Sequence, residues 1–118
     1  MDKGPPLHQE IVAQALSSAA SRQVLSLCIR RALAVKDISD QAHLPLASAY
    51  RQVNSLVTSG LLLVERSAMT LDGKPYDLYR SRIRRARVEV SPSGVQVEWE
   101  PNEIVGDRLV GMWNQMGG

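Results

Sequence analysis

The sequence has 118 residues, 44% of them hydrophobic, and this is the usual size of one globular domain, so we expect a single domain over residues 1–118. No stretch approaches the ~20 apolar residues that cross a bilayer, and residues 1–6 do not resemble a signal peptide, so a cytoplasmic protein without a membrane partner is expected. Residues 22–87 carry 12 Lys and Arg against 5 Asp and Glu, whereas the two flanks together carry 2 against 7, and this basic middle indicates an anionic partner such as nucleic acid.

Two amphipathic helices are predicted over residues 7–34. In the first, Leu7 and Ile11 begin an apolar stripe that repeats every fourth residue to about residue 18. The second follows almost at once, with Ser21 as a possible cap, and runs to about Ala34. Cys28 lies among apolar neighbours on this helix and is the chain's one cysteine, so we expect a buried, inert thiol.

Residues 35–60 have the pattern of a helix-turn-helix. A short helix is predicted over 35–42, a break at 43–45, and a longer helix over about 46–59 that ends at Gly60. The apolar positions Ala49, Val53, Leu56 and Val57 should face the core. The opposite face has no acidic residue and offers donors suited to phosphates and base edges. It comprises Ser48, Tyr50, Arg51, Gln52, Asn54 and Ser55.

After Gly60 the apolar period changes from that of a helix to that of a strand. A first hairpin is predicted over 61–80 with its turn at 71–74, and a second over 81–100 with its turn at 91–94. The phase of the alternation shifts near Arg84, which predicts a bulge or break there. A last helix is expected over 102–116, with Asn102 as its cap. The fold class predicted is therefore α+β and mainly helical.

The segment 37–62 resembles the helix-turn-helix of ArsR-type transcription regulators, especially archaeal ones, and the resemblance extends along the chain. Ser59-Gly60-Leu61-Leu62 falls where that family has the end of its recognition helix and the start of a wing strand. The resemblance implies a winged helix-turn-helix, with the hairpin over 61–80 as the wing and the helix over 46–59 in the major groove of double-stranded DNA. It also implies that Leu46, Ala47, Ser48, Tyr50, Arg51 and Asn54 face the DNA.

Basic residues beyond this helix complete the expected DNA surface. Arg66 and Lys74 on the wing are placed by topology to reach the DNA backbone, and Arg80 and Arg82 join them as candidates. These two begin an arginine cluster over 80–87 for which two interpretations remain open. The arginines contact phosphates or an acidic partner, or they form a solvated strand face, some of them paired with Glu98, Glu100 or Glu103.

No metal, cofactor or catalytic site is predicted. Many ArsR-type proteins bind metals through two cysteines, and the matching positions here are Ala34 and Lys36. His8, His43 and Cys28 are too few for a closed zinc site, so only a site shared across a dimer remains open. No serine has a His/Asp partner at a recognisable spacing and no glycine-rich phosphate loop occurs, so a non-enzyme is expected.

The terminal helices are the expected dimer surface. The resemblance implies that the first and last helices pair across a twofold axis, and both carry more apolar residues than a monomer surface usually exposes. The other interpretation is that these apolar stripes pack on their own domain. The sequence therefore predicts a homodimeric DNA-binding transcription regulator; the alternative is a winged-helix module that docks on a protein complex. The sequence does not identify an effector. The interface candidates are Leu7, Ile11, Leu109, Met112, Trp113 and Met116.

Overall fold

The computed structural model describes residues 7–103, which form four helices followed by two antiparallel hairpins. This order confirms the predicted α+β class. No helix in this part of the chain is long and apolar enough to cross a membrane. The helices are α1 (Gln9–Leu16), α2 (Ala19–Leu27), α3 (Val35–Ala42) and α4 (Leu46–Ser59), and the strands are β1 (Leu62–Met69), β2 (Pro75–Ser81), β3 (Ile83–Ser91) and β4 (Gly94–Pro101).

Helix α2 is shorter than the sequence predicts and begins at a different cap. The Oγ of Ser18, not of Ser21, accepts the capping hydrogen bond, from the backbone N–H of Ser21. The helix ends at Leu27 because the chain beyond it pairs with a strand instead. Leu33 exchanges two backbone hydrogen bonds of 3.0 and 2.8 Å with Tyr79 of β2, so the predicted extension of the helix to Ala34 was wrong. Tertiary pairing overrides the local helical pattern here.

Helices α3 and α4 and the turn between them follow the prediction. The turn is closed by His43 in the left-handed conformation and by the buried Ser39, whose hydroxyl donates to the Leu44 carbonyl. Helix α4 ends at Gly60, whose φ of 88° is the conformation that glycine adopts without strain. The last position expected on the inward face, Val57, is 38% exposed and therefore does not belong to it.

The core lies where the helices meet the bases of the two hairpins. Ala49 and Val53 of α4 are completely buried against α3, and Leu61 and Leu62 carry the core from α4 into β1. Cys28 is completely buried, as predicted. The residues of the core are Val12, Val24, Leu25, Cys28, Leu33, Val35, Ile38, Ala49, Val53, Leu56, Leu61, Leu62 and Ile83.

The two hairpins form separate two-stranded sheets. The β1–β2 register shifts between Val64 and Arg66, and the β3–β4 register shifts between Ile83 and Arg85, which confirms the irregularity predicted near Arg84. The second hairpin lies along α1, where the side-chain Oε1 of Gln9 accepts a hydrogen bond of 2.9 Å from the backbone N–H of Val97.

The helix predicted over 102–116 lies outside the described residues except for its first two positions. Asn102, expected as its cap, is buried at the base of the second hairpin. Its amide donates to the carbonyls of Ile29 and Ser81, at 2.8 and 3.0 Å. Asn102 thereby joins the end of β4 to the chain after α2 and to the end of β2.

Candidate nucleic-acid interface

Helix α4 presents a polar face to solvent because its apolar face is buried against α3 and the core. Ala49, Val53 and Leu56 are at most 1% exposed. On the other side Tyr50 is 50% exposed, and the rest of this face carries no negative charge. Such a face can donate to phosphates and read base edges. The exposed candidates on the helix are Leu46, Ala47, Tyr50, Arg51, Asn54 and Ser55.

Two other candidates on α4 are only partly exposed, and one of them holds the helix in place. The Oε1 of Gln52 accepts a hydrogen bond of 3.0 Å from the hydroxyl of Ser21, which ties α4 to α2. Ser48 is half-buried, and its hydroxyl accepts a hydrogen bond of 3.2 Å from the guanidinium of Arg51. This contact orients Arg51 along the first half of the helix.

The wing candidates are exposed at two places on the first hairpin. Arg66 lies next to the register shift in β1, and Lys74 lies at the turn, 3.9 Å from the carboxylate of Asp72. Both groups of that contact are largely exposed, so it is a weak pair that leaves the lysine accessible.

Arg80 and Arg82 are not on the surface where the prediction put them. Each is 8% exposed. Arg80 makes a 2.7 Å ion pair with Glu65 and donates through Nε to the Ile29 carbonyl, and Arg82 donates to the carbonyl of Gly60 at 2.9 Å. Both guanidiniums satisfy buried acceptors inside the fold, so we remove them from the DNA surface.

The rest of the arginine cluster lies on the second hairpin and pairs with glutamates of β4, as one of the two interpretations predicted. Arg87 contacts Glu98 at 2.6 Å, and Glu100 contacts Arg84 at 2.9 Å and Arg85 at 3.4 Å. The pKa of Glu100 is lowered, first by the hydrogen bond from Arg84 and then by the positive charge of Arg85. These pairs are exposed to solvent.

Few side chains that could bind a metal lie close together in the described part of the chain. Within residues 7–103 no three His, Cys, Asp or Glu side chains come together as metal ligands, and Ala34 and Lys36 lie at the start of α3. Burial raises the pKa of the Cys28 thiol to about 12, although the charge of Arg80 acts in the opposite direction. The thiol therefore stays protonated, and a protonated thiol is a poor ligand and a poor nucleophile.

Residues that the sequence analysis did not select lie beside α4. Tyr76 and Tyr79 of β2 line a cleft together with Tyr50 and the first residues of α3, between the helix-turn-helix and the wing. The signal in the sequence was weak because a tyrosine on a predicted strand is most often a packing residue. The pairing of β2 with Leu33 places Tyr79 next to the start of α3.

Of the expected dimer residues, the described part of the chain contains two. Leu7 precedes α1 and packs against the chain's own core, whereas Ile11 is 38% exposed on α1. The others, Leu109, Met112, Trp113 and Met116, lie outside the described residues.

One family model matches the helix-turn-helix segment of the chain. Residues 30–66, from the segment after α2 into β1, match the family model of the IclR helix-turn-helix domain. No curated protein matches the sequence. One similar solved structure is the solution NMR structure of the homodimeric winged helix-turn-helix DNA-binding domain of Mb0332 from Mycobacterium bovis, described as a possible ArsR-family transcriptional regulator. It is 22% identical, with a TM-score of 0.49, and the match covers 61% of each chain.

A second similar structure is that of NolR from Sinorhizobium fredii. It is 16% identical with a TM-score of 0.48, and the match covers 66% of this chain and 81% of that one. The segment shared with the IclR family model contains α3, the turn, α4 and the start of β1, and β2 completes a hairpin after it. This chain therefore contains a helix-turn-helix followed by a wing.

Proposed function

We propose that the protein binds double-stranded DNA and acts as a transcription regulator, with α4 as its recognition helix in the major groove. The observation that carries this proposal is the acid-free outward face of α4, held in position by burial of its other face on α3. In a helix-turn-helix the second helix enters the major groove and its first residues contact base edges. The match of residues 30–66 to a helix-turn-helix family supports the same assignment.

The exposed residues divide into those that read bases and those that contact the backbone. Arg51, Asn54 and Tyr50 carry groups able to reach base edges, and arginine to guanine and asparagine to adenine are common specific pairs. Leu46, Ala47 and Ser48 in the first turn approach the groove, and Ser55 lies towards its rim. Arg66 and Lys74 of the wing contact phosphates. Gln52 supports the helix through Ser21.

We also propose that the protein forms an ArsR-like homodimer. Two copies related by a twofold axis would present two α4 helices to half-sites about one helical turn apart on the DNA. The exposed Ile11 of α1 supports a contact surface on this helix. Light scattering at micromolar concentration tests it, because a monomeric full-length chain would contradict the dimer.

The experiment that tests the DNA-binding proposal starts with selection of bound sequences from random DNA, followed by variants at Arg51. If Arg51 reads a base, Arg51→Ala costs about 1–3 kcal/mol of binding free energy at the selected site and little on random DNA. If it contacts a phosphate, binding to all sequences weakens alike and the salt slope falls by roughly one unit. Arg87→Ala is the matched control, because it removes an equal charge from the second hairpin.

Two outcomes would contradict the proposal. In the first, folded Arg51→Ala and Asn54→Ala variants bind every DNA as tightly as the unaltered protein. In the second, the protein binds no DNA even at low salt, where phosphate contacts are strongest. The second outcome would favour the alternative of a protein-interaction module.

A further inference from the structure

The cleft between the helix-turn-helix and the wing contains every tyrosine of the chain. The sequence has three tyrosines and no phenylalanine. All three tyrosines line this one cleft, Tyr50 from α4 and Tyr76 and Tyr79 from β2. Its volume is about 540 Å³, within the range that holds small ligands in proteins. Three tyrosine rings around one cleft of this size indicate a ligand-binding site.

The cleft has a hydrogen-bonded floor and an accessible mouth. Leu33 and Tyr79 are joined by two backbone hydrogen bonds, and Val35 beside them is buried in the core. Tyr50 and Tyr76 are exposed at the mouth, whereas Tyr79 is partly buried. The pKa of Tyr79 is raised, first by burial and then by the negative charge of Asp77 and the nearby Tyr50. Tyr79 therefore remains neutral and keeps its hydroxyl as a donor.

The charges that line the cleft are more negative than positive. Asp37 of α3 and Asp77 of β2 contribute two carboxylates, and Lys36 contributes one ammonium group. One carboxylate oxygen of Asp77 accepts a hydrogen bond of 2.8 Å from the hydroxyl of Ser67, which orients the side chain on the strand. Carboxylates repel the phosphates of DNA, so the DNA backbone is a poor occupant. The negative faces of tyrosine rings and the carboxylates together attract cations.

We propose that this cleft binds a small organic cation, such as an amidinium, guanidinium or quaternary ammonium compound, between the tyrosine rings and the carboxylates of Asp37 and Asp77. The site lies beside α4 but uses residues that the DNA-binding proposal does not need, apart from Tyr50. It can therefore be tested without DNA, and failure of either proposal leaves the other standing.

The test titrates the full-length protein with benzamidine, a planar aromatic cation, and with benzamide, its neutral counterpart. Because all three tyrosines line the cleft, NMR signals from selectively labelled tyrosine rings report on this site alone. Benzamidine is expected to shift these signals with a saturable dependence in the millimolar range or below, and benzamide to shift them little.

Variants then separate charge from shape. Asp77→Asn keeps the side-chain shape and an acceptor for Ser67, and it should weaken benzamidine binding up to about fivefold, the range of an exposed ion pair. Lys36→Ala should strengthen binding, because it removes a like charge. Glu89→Gln is the matched control: it removes an exposed carboxylate from the second hairpin and should leave the affinity unchanged.

Three results would overturn the proposal. The first is an equal response to benzamide, since the cleft would then select aromatic rings and not charge. The second is the absence of any saturable shift of the tyrosine signals by benzamidine. The third is an equal loss of affinity in Asp77→Asn and Glu89→Gln, which would indicate general attraction of the cation to the protein surface.

Discussion

The arginines of the 80–87 cluster are used in opposite ways by the two hairpins. In the wing hairpin, the guanidinium of Arg80 is buried with Glu65, and Arg82, directly after β2, is buried against the carbonyl of Gly60. In the second hairpin, arginines face solvent and pair with glutamates across the strands. The difference follows from what lies behind each strand. The end of β2 packs against the chain after α2, whereas the charged face of β3 and β4 is open to water.

The same residue type therefore stabilises the fold to different extents. A buried charge whose partner is removed costs several kcal/mol, because the remaining ion has lost the water that would solvate it. An exposed pair loses little, because water and salt replace the partner. The arginine cluster therefore divides into two groups. Arg80 and Arg82 are buried and hold the wing in place. The other three, Arg84, Arg85 and Arg87, are exposed and contribute far less to the stability of the fold.

The largest expected effect is that of Arg80→Ala. The variant leaves Glu65 in a buried site and takes a donor from the Ile29 carbonyl, so we expect a loss of about 3–5 kcal/mol in the free energy of unfolding, measured in urea. The charge of Arg80 lowers the pKa of the buried Cys28 thiol, so its loss alone disfavours the reactive thiolate, and a faster reaction of Cys28 with a thiol reagent in the variant would report opening of the core. Arg87→Ala is the control and should change the free energy of unfolding little.

A double variant sharpens this test. Arg80→Met together with Glu65→Leu removes both charges and fills the space with apolar atoms, so it should recover most of the stability that Arg80→Ala loses. If the double variant is as unstable as the single one, the hydrogen bond from Arg80 to the backbone, and not the lost charge beside Glu65, carries the effect. If Arg80→Ala is as stable as the unaltered protein, the contrast between the hairpins is wrong.

A smaller effect is expected at Asn102, where the two hairpins are joined. Its amide donates to the carbonyls of Ile29 and Ser81, and Asn102→Ala leaves both with one donor fewer. We expect a loss of about 1–3 kcal/mol in the free energy of unfolding. Ser93→Ala at the tip of the second hairpin is the control. A loss no larger than that of the control would show that the joint does not depend on this side chain.

The smallest effect is expected from the exposed pairs of Glu100. Its pKa in the folded protein is below its ordinary value of 4.5. The stability it contributes is present above that ordinary value and is lost as the pH falls through the lowered pKa. Glu100→Gln should therefore reduce stability slightly at neutral pH, with the difference disappearing in acid and shrinking in high salt.

Unfolding in urea across this acid range measures the effect, with Glu89→Gln as the control for loss of a carboxylate. A large effect at neutral pH that salt does not reduce would mean that the second hairpin, like the first, depends on its ion pairs.

Much of the helix-turn-helix could be predicted from the sequence because its signals are local. The apolar spacing of α4 placed Ala49 and Val53 inward and Tyr50 and Arg51 outward, and the glycine at 60 marked its end. The turn residues of the hairpins and the irregularity near Arg84 were local signals as well. The burial of Arg80 and Arg82 could not be predicted, because the neighbouring residues in the sequence do not show whether a charged side chain is buried.

Within residues 7–103 the sequence by itself determined the order of the elements, the bounds of α3 and α4 and the burial of Cys28, because periodicity, turn chemistry and apolar neighbours act over a few residues. The tertiary structure decided the end of α2, the burial of two arginines and the gathering of the three tyrosines. The first depends on β2 returning beside Leu33, and the two arginines are buried against carbonyls of Ile29 and Gly60 that lie far from them in the chain. Such contacts are set by how the elements pack, which no short stretch of sequence encodes.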